Sequence, residues 1–102
     1  MKQIYFVHSI IKDGENEYDY YVFVKKEIEK AHELTEKEEK DIFIAFLKDN
    51  WGKQEVEEVG QDNYTFSILS DYRLFELQSI TPINKQEREI LSKFLGNYTV
   101  EI

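Results

Sequence analysis

Two runs of β-branched and aromatic residues, Ile4 to Ile11 and Tyr18 to Val24, flank the polar segment Lys12-Asp13-Gly14-Glu15-Asn16-Glu17. Residues of that type fit a pleated, half-buried surface, and Asp-Gly supplies the left-handed backbone that a tight hairpin needs. The pattern predicts an antiparallel β-hairpin. Large apolar groups on both faces of Ile4 to Ile11 place that strand inside a sheet rather than at its edge. A two-residue turn at Asp13-Gly14 would set His8 opposite Asp19 and Ile10 opposite Glu17. A three-residue loop instead sets Phe6 against Val22 and Ile10 against Tyr18, and this second register is expected because it gathers the apolar residues better. A slip of one residue exchanges the two faces, so the choice matters.

Lys25 to Asp41 is highly charged, with Ile28, Ala31 and Leu34 as its apolar members, and reads as a loop or an exposed helical turn. Thr35-x-x-Glu38 then matches a capping box, in which each side chain accepts a hydrogen bond from the other residue's backbone N–H. The helix it opens carries Ile42, Phe43, Ala45, Phe46, Leu47 and Trp51 as a broad apolar stripe and is expected to stop near Asn50-Trp51-Gly52. Glu55 to Val59, Tyr64 to Leu69 and Tyr72 to Ile80 read as a three-strand meander, with turns at Gly60 to Asn63 and at Ser70-Asp71. Pro82 is expected to end the sheet. Asn84 with Glu87 repeats the cap signal, and Ile90, Leu91, Phe94 and Leu95 are expected to form the inward stripe of a second helix closed by Gly96. Asn97 to Ile102 reads as an edge strand or a frayed end. The order β-β-α-β-β-β-α predicts an α+β fold: an antiparallel sheet of four to five strands with two helices packed on one face. Residues 1–102 are read as one domain, since this length holds a single core.

Composition narrows the function classes. Asp and Glu outnumber Lys and Arg by 21 to 13, a formal charge of −8, and the acids recur in several segments. Such a field repels phosphate backbones and anionic lipid and attracts basic protein surfaces. The chain holds no cysteine, which removes thiolate chemistry and sulfur-ligated zinc and fits a reducing cytoplasm. No apolar run reaches membrane-spanning length, so no membrane partner is expected.

The candidate motifs are weak. Asp13, Glu15, Glu17 and Asp19 resemble a calcium loop only in having carboxylates at alternate positions; Gly14 comes too early, and the hairpin reading divides those side chains between faces. Glu29-x-x-His32 has the spacing of one half of a di-iron motif, without the second copy and two further Glu residues that such a site requires. His8 lies in an apolar strand where a carboxylate such as Asp19 would hold it. No Ser sits in a Gly-flanked elbow, and the four glycines build no phosphate loop. No catalytic residue, metal ligand or cofactor is assigned. The strand tyrosines lack the basic residues and glycine motif that accompany base-stacking aromatics, which disfavours direct nucleic-acid binding.

The expectation is therefore a small acidic, non-enzymatic binding protein that docks on a basic partner protein, as a monomer or homodimer. The candidate contact residues are Asp13, Glu15, Glu17, Asp19, Tyr21, Glu55, Glu57, Glu58 and Asp62. A sharper form of the reading is a nucleic-acid mimic of phage or mobile-element type, with carboxylates in place of phosphates. The competing class is a ligand-binding or enzymatic domain with a pocket between the sheet and the helix at 35–51.

Overall fold

A computed structural model describes residues 1–51, 55–59, 64–68 and 72–102. Six strands and two helices follow in the order β1 (Lys2–Asp13), β2 (Asn16–Glu27), α1 (Glu36–Asn50), β3 (Val56–Val59), β4 (Thr65–Ile68), β5 (Leu74–Ile83), α2 (Lys85–Leu95) and β6 (Thr99–Glu101). They form an α+β fold with one mixed sheet in the order β3-β4-β5-β1-β2-β6. All pairings are antiparallel except β2 with β6. The sheet is thus one strand larger than the expected four to five. The additional strand is β6, whose three residues give too short a pattern to separate from a frayed end.

β1 lies between β5 and β2, as its two apolar faces require. The hairpin register is neither of the two weighed from the sequence. Asp13 pairs with Asn16, which leaves Gly14-Glu15 as a two-residue loop, and Gly14 has φ +63°. Gly at the first central position is the mark of a type II′ turn, whose twist suits the flanking strands. This register opposes Val7 to Val22, Tyr5 to Val24 and Phe6 to Phe23. It sorts the apolar residues better than the expected one, because like now faces like on both sides of the sheet.

Alternation along the strands divides the sheet into two faces. One face carries Tyr5, Val7, Ser9 and Ile11 of β1 with Val22 and Val24 of β2, and α1 covers it with Ile42, Phe43, Phe46 and Leu47, all buried. Phe43 meets Phe66 edge-on at 5.4 Å between ring centroids, and Trp51 lies 4.9 Å from Phe75. The Thr35 capping box forms as the sequence implies: Thr35 Oγ1 accepts from Glu38 N at 3.2 Å, and Glu38 Oε1 accepts from Thr35 N at 3.1 Å. Before it, Lys25 to Glu27 continue β2, and 28–35 have no regular structure.

The two helices do not share a face. α2 lies on the opposite side, where the Arg88 guanidinium sits over the Phe23 ring at 5.2 Å. Strand polarity explains this. Counting antiparallel steps across the sheet, β2, β3, β5 and β6 all run the same way, so β2-α1-β3 and β5-α2-β6 are both parallel crossovers. Such crossovers are right-handed as a rule, and two that travel in opposite directions along one sheet lay their helices on opposite faces.

α2 also departs from its expected packing. Its capping box forms, with Glu87 N donating to Asn84 Oδ1 at 2.8 Å, and Gly96 closes it at φ +84°. None of its residues is buried, however, and Ile90, Phe94 and Leu95 face solvent. An apolar stripe shows which side of a helix seeks cover without showing that cover exists. Pro82 does not end the sheet but sits inside β5 opposite Tyr5. β4 pairs with β5 only from Leu74 to Glu76, so at Pro82 the strand has one neighbour and its missing N–H disrupts no second ladder. The β3-β4-β5 meander is present as expected. Its turns at Gly60 to Asn63 and Ser70-Asp71 lie outside the described residues, as does Gly52, but α1 stops at Asn50 with Trp51 as its C-cap, as expected. No helix among the described residues is long and apolar enough to cross a membrane.

Candidate functional site

The even-numbered residues of β1 and the odd-numbered residues of β2 share the face opposite α1, and α2 covers only part of it. At the α2 end Phe23 and Ile83 are buried. Beyond it the face is open. There His8, opposite Tyr21, stacks on that ring at 4.5 Å, and Tyr21 stacks in turn on Phe6 at 5.7 Å with planes 10° apart. Tyr21 remains 41% exposed, which leaves much of its ring available for contact.

Charged groups border this stack. Asp19 Oδ1 lies 2.7 Å from His8 Nε2, reached diagonally because Asp19 is directly opposite Ile10. The sequence placed a carboxylate such as Asp19 against His8, and the two do meet, although in a different register. Lys12 Nζ lies 3.0 Å from Glu76 Oε2 and 3.7 Å from Glu17 Oε1. Glu17, Asp19 and Tyr21 share one face, while Asp13, paired with Asn16, belongs to the other, so the hairpin carboxylates divide between faces as expected except that Glu17 and Asp19 stay together. Residues two apart in one strand point the same way. Asp13 and Glu15 belong to the turn end of the hairpin, Asp13 as the last residue of β1 and Glu15 in the loop.

The remaining candidates lie elsewhere. Glu57 and Glu58 are on β3, at the far edge of the sheet, and Glu58 is held by Lys40 of α1 at 3.3 Å. β2 and β3 are four strand spacings apart, about 19 Å, so the two acidic groups are separate. Glu55 is exposed beside β3, and Asp62 lies outside the described residues. The structure brings together Glu17, Asp19 and Tyr21 and adds His8, Phe6 and Glu76, which sequence reasoning did not assign. Phe6 and His8 were recoverable, because the observed register opposes them to Phe23 and Tyr21.

The Glu29-x-x-His32 spacing creates no paired site, since 28–35 are not helical. His32 instead ties this segment to α1. Its Nδ1 lies 2.9 Å from the Lys30 carbonyl oxygen and its Nε2 2.6 Å from Glu38 Oε2. Both partners only accept, so the ring fits best as an imidazolium that donates twice. The Lys30 carbonyl and then Glu38 raise the His32 pKa above its ordinary 6.5, while His32 and the Thr35 N–H lower Glu38 to about 2. The signs define a window. The Glu38 contribution is present above its ordinary 4.5 and lost as pH falls toward 2, whereas that of His32 is present below 6.5 and lost as pH rises through the raised value. The tether is complete between those limits. We expect Glu38→Gln to lower the His32 titration midpoint followed by its ring proton resonances; an unchanged midpoint would show that the contact does not persist in solution.

The helix α1 face of the sheet is filled by aromatic side chains. A shallow depression of about 370 Å³ lies beside it, lined by Glu39, Tyr64, Glu76, Leu77 and Gln78, and burial raises the Glu39 pKa there. A larger open cavity of about 750 Å³ lies on the other face, beside the start of α2. Among the described residues no group of three or more His, Asp or Glu is placed to hold a metal ion. His8 and Asp19 lie on an open surface, with side-chain exposures of 26% and 57%, and nothing there excludes water from the pair.

Comparison with known protein families, curated proteins and solved structures finds no match to this chain.

Proposed function

We propose that this chain is a small acidic, non-enzymatic binding protein that docks on a basic surface of a partner protein through the open half of its sheet. The observation that carries the reading is the His8–Tyr21–Phe6 stack, half-exposed, with Glu17 and Asp19 on the same face. A rigid, partly exposed Tyr contributes contact area at low entropic cost, and a carboxylate rim draws in and orients a cationic partner. Cytoplasmic location and a monomeric or dimeric state accompany this proposal. The nucleic-acid mimic draws less support. Its carboxylates would need to run in a row, whereas the acids of β2 and β3 stand four strands apart, and Lys12 and Lys40 neutralise members of each group. A ligand pocket beneath the helix at 35–51 is likewise less favoured, since Ile42, Phe43, Phe46 and Leu47 fill that space.

The test uses a Lys- and Arg-rich peptide as probe. Glu17→Lys combined with Asp19→Lys should weaken its binding at least about tenfold at low salt. The difference should vanish near ~1 M salt, where the Debye length is about 3 Å. Equal affinity of variant and parent at low salt would contradict the proposal.

A further inference from the structure

The cavity beside the start of α2 has the opposite electrostatic character from the rest of the molecule. Its polar lining includes Lys25, Lys85 and Arg88, and no carboxylate lines it. None of those three cations lies within salt-bridge distance of a carboxylate among the described residues. In a chain of formal charge −8, three cations without a salt-bridge partner among the described residues, gathered around a cavity of about 750 Å³, need a reason. Lys2, also in the lining, is different, because Glu101 and Glu27 hold it.

Arg88 is fixed rather than mobile. It sits over the Phe23 ring, and its Nη2 donates to the Asn97 carbonyl oxygen and to Thr99 Oγ1. Nε and Nη1 have no hydrogen-bond partner among the described residues, so N–H donors of the guanidinium are left for an anion. Lys25 enters from β2 opposite Ile4, and Lys85 from the first turn of α2. Apolar groups, Ile4, Pro82 and Ile83, complete the lining. The volume, about 750 Å³, falls in the range of about 300 to 1,000 Å³ usual for small-molecule sites. A bare inorganic anion would leave most of it unfilled.

We propose that this cavity binds a soluble organic phosphate, with the phosphate on Arg88, Lys25 and Lys85 and an apolar body against Ile4, Pro82 and Ile83. A phosphomonoester carries about −1.5 to −2 charges at neutral pH, which three cations suffice to match. The site is independent of the docking face.

Phenyl phosphate is a suitable probe, with inorganic phosphate, phenol and phosphatidic-acid vesicles as the other arms. Phenyl phosphate should shift the amide resonances of Ile4, Lys25 and Arg88 and bind at least about tenfold more tightly than inorganic phosphate. Lys25→Gln and Arg88→Gln should each weaken it about tenfold. Because Arg88 also supports Phe23 and Thr99, Lys85→Gln serves as a third variant at an exposed position and should weaken binding in the same direction. The proposal is overturned if phenyl phosphate shifts none of these resonances, if phosphate and phenyl phosphate bind alike, or if only the vesicles bind.

Discussion

Phe43→Ala should cost about 3 to 5 kcal/mol of folding stability, the largest effect of any single truncation named here. Phe43 is fully buried, lies 6.1 Å from Phe46 and meets Phe66 edge-on, so it joins α1 to both β4 and its own helix neighbour. Its removal forfeits the transfer energy of the ring and leaves a cavity that rigid strands cannot close. A domain of this size is stable by about 5 to 15 kcal/mol, so the loss is a large share of the total. Phe94→Ala is the paired control. Phe94 is 82% exposed although it belongs to the apolar stripe of α2, and its truncation should change stability by no more than about 0.5 kcal/mol. Urea denaturation of both variants checks the pair; a Phe94 cost equal to that of Phe43 would mean that α2 packs on the core after all.

Tyr21→Ala should weaken binding of a basic protein segment by about 2 kcal/mol, roughly thirtyfold. The ring is held between His8 and Phe6, so it presents area without the entropy cost of ordering a mobile side chain. Charge reversal at Glu17 and Asp19 acts mainly on encounter and fades with salt, whereas loss of the Tyr21 ring should persist at high salt. Isothermal titration at two ionic strengths separates the two contributions. A Tyr21→Ala loss that disappears with salt would assign the role of the ring to electrostatics alone.

The fold was legible where local chemistry decides it. Asp13-Gly14 announced the hairpin, and Thr35 with Glu38 and Asn84 with Glu87 announced both helix starts, because a capping box satisfies particular N–H groups at a fixed spacing. Register, helix side and helix cover were less legible. The register turned on whether Gly14 stands first or second in the loop, and only the opposed pairs Val7–Val22 and Phe6–Phe23 decide that. The side taken by α2 depends on the strand order and on β6, which pairs with a strand seventy or more residues earlier in the chain. Of the candidate site, Glu17, Asp19 and Tyr21 form one surface, and Glu57 and Glu58 belong to another edge. Acidic segments are visible in a sequence, but which of them share a face follows from pairing. The cationic cavity was invisible for the same reason, since Lys25, Lys85 and Arg88 are scattered along the chain and converge only where α2 crosses the sheet.

The central claim is that the open half of the sheet, rather than acidity in general, is the docking surface. Mapping amide chemical-shift changes as a Lys- and Arg-rich peptide is titrated in tests it most directly. The account predicts changes concentrated at Phe6, His8, Asp19 and Tyr21, with little response at Glu36 to Asp41 or on β3. Changes of similar size at every acidic segment, or largest on β3, would contradict it.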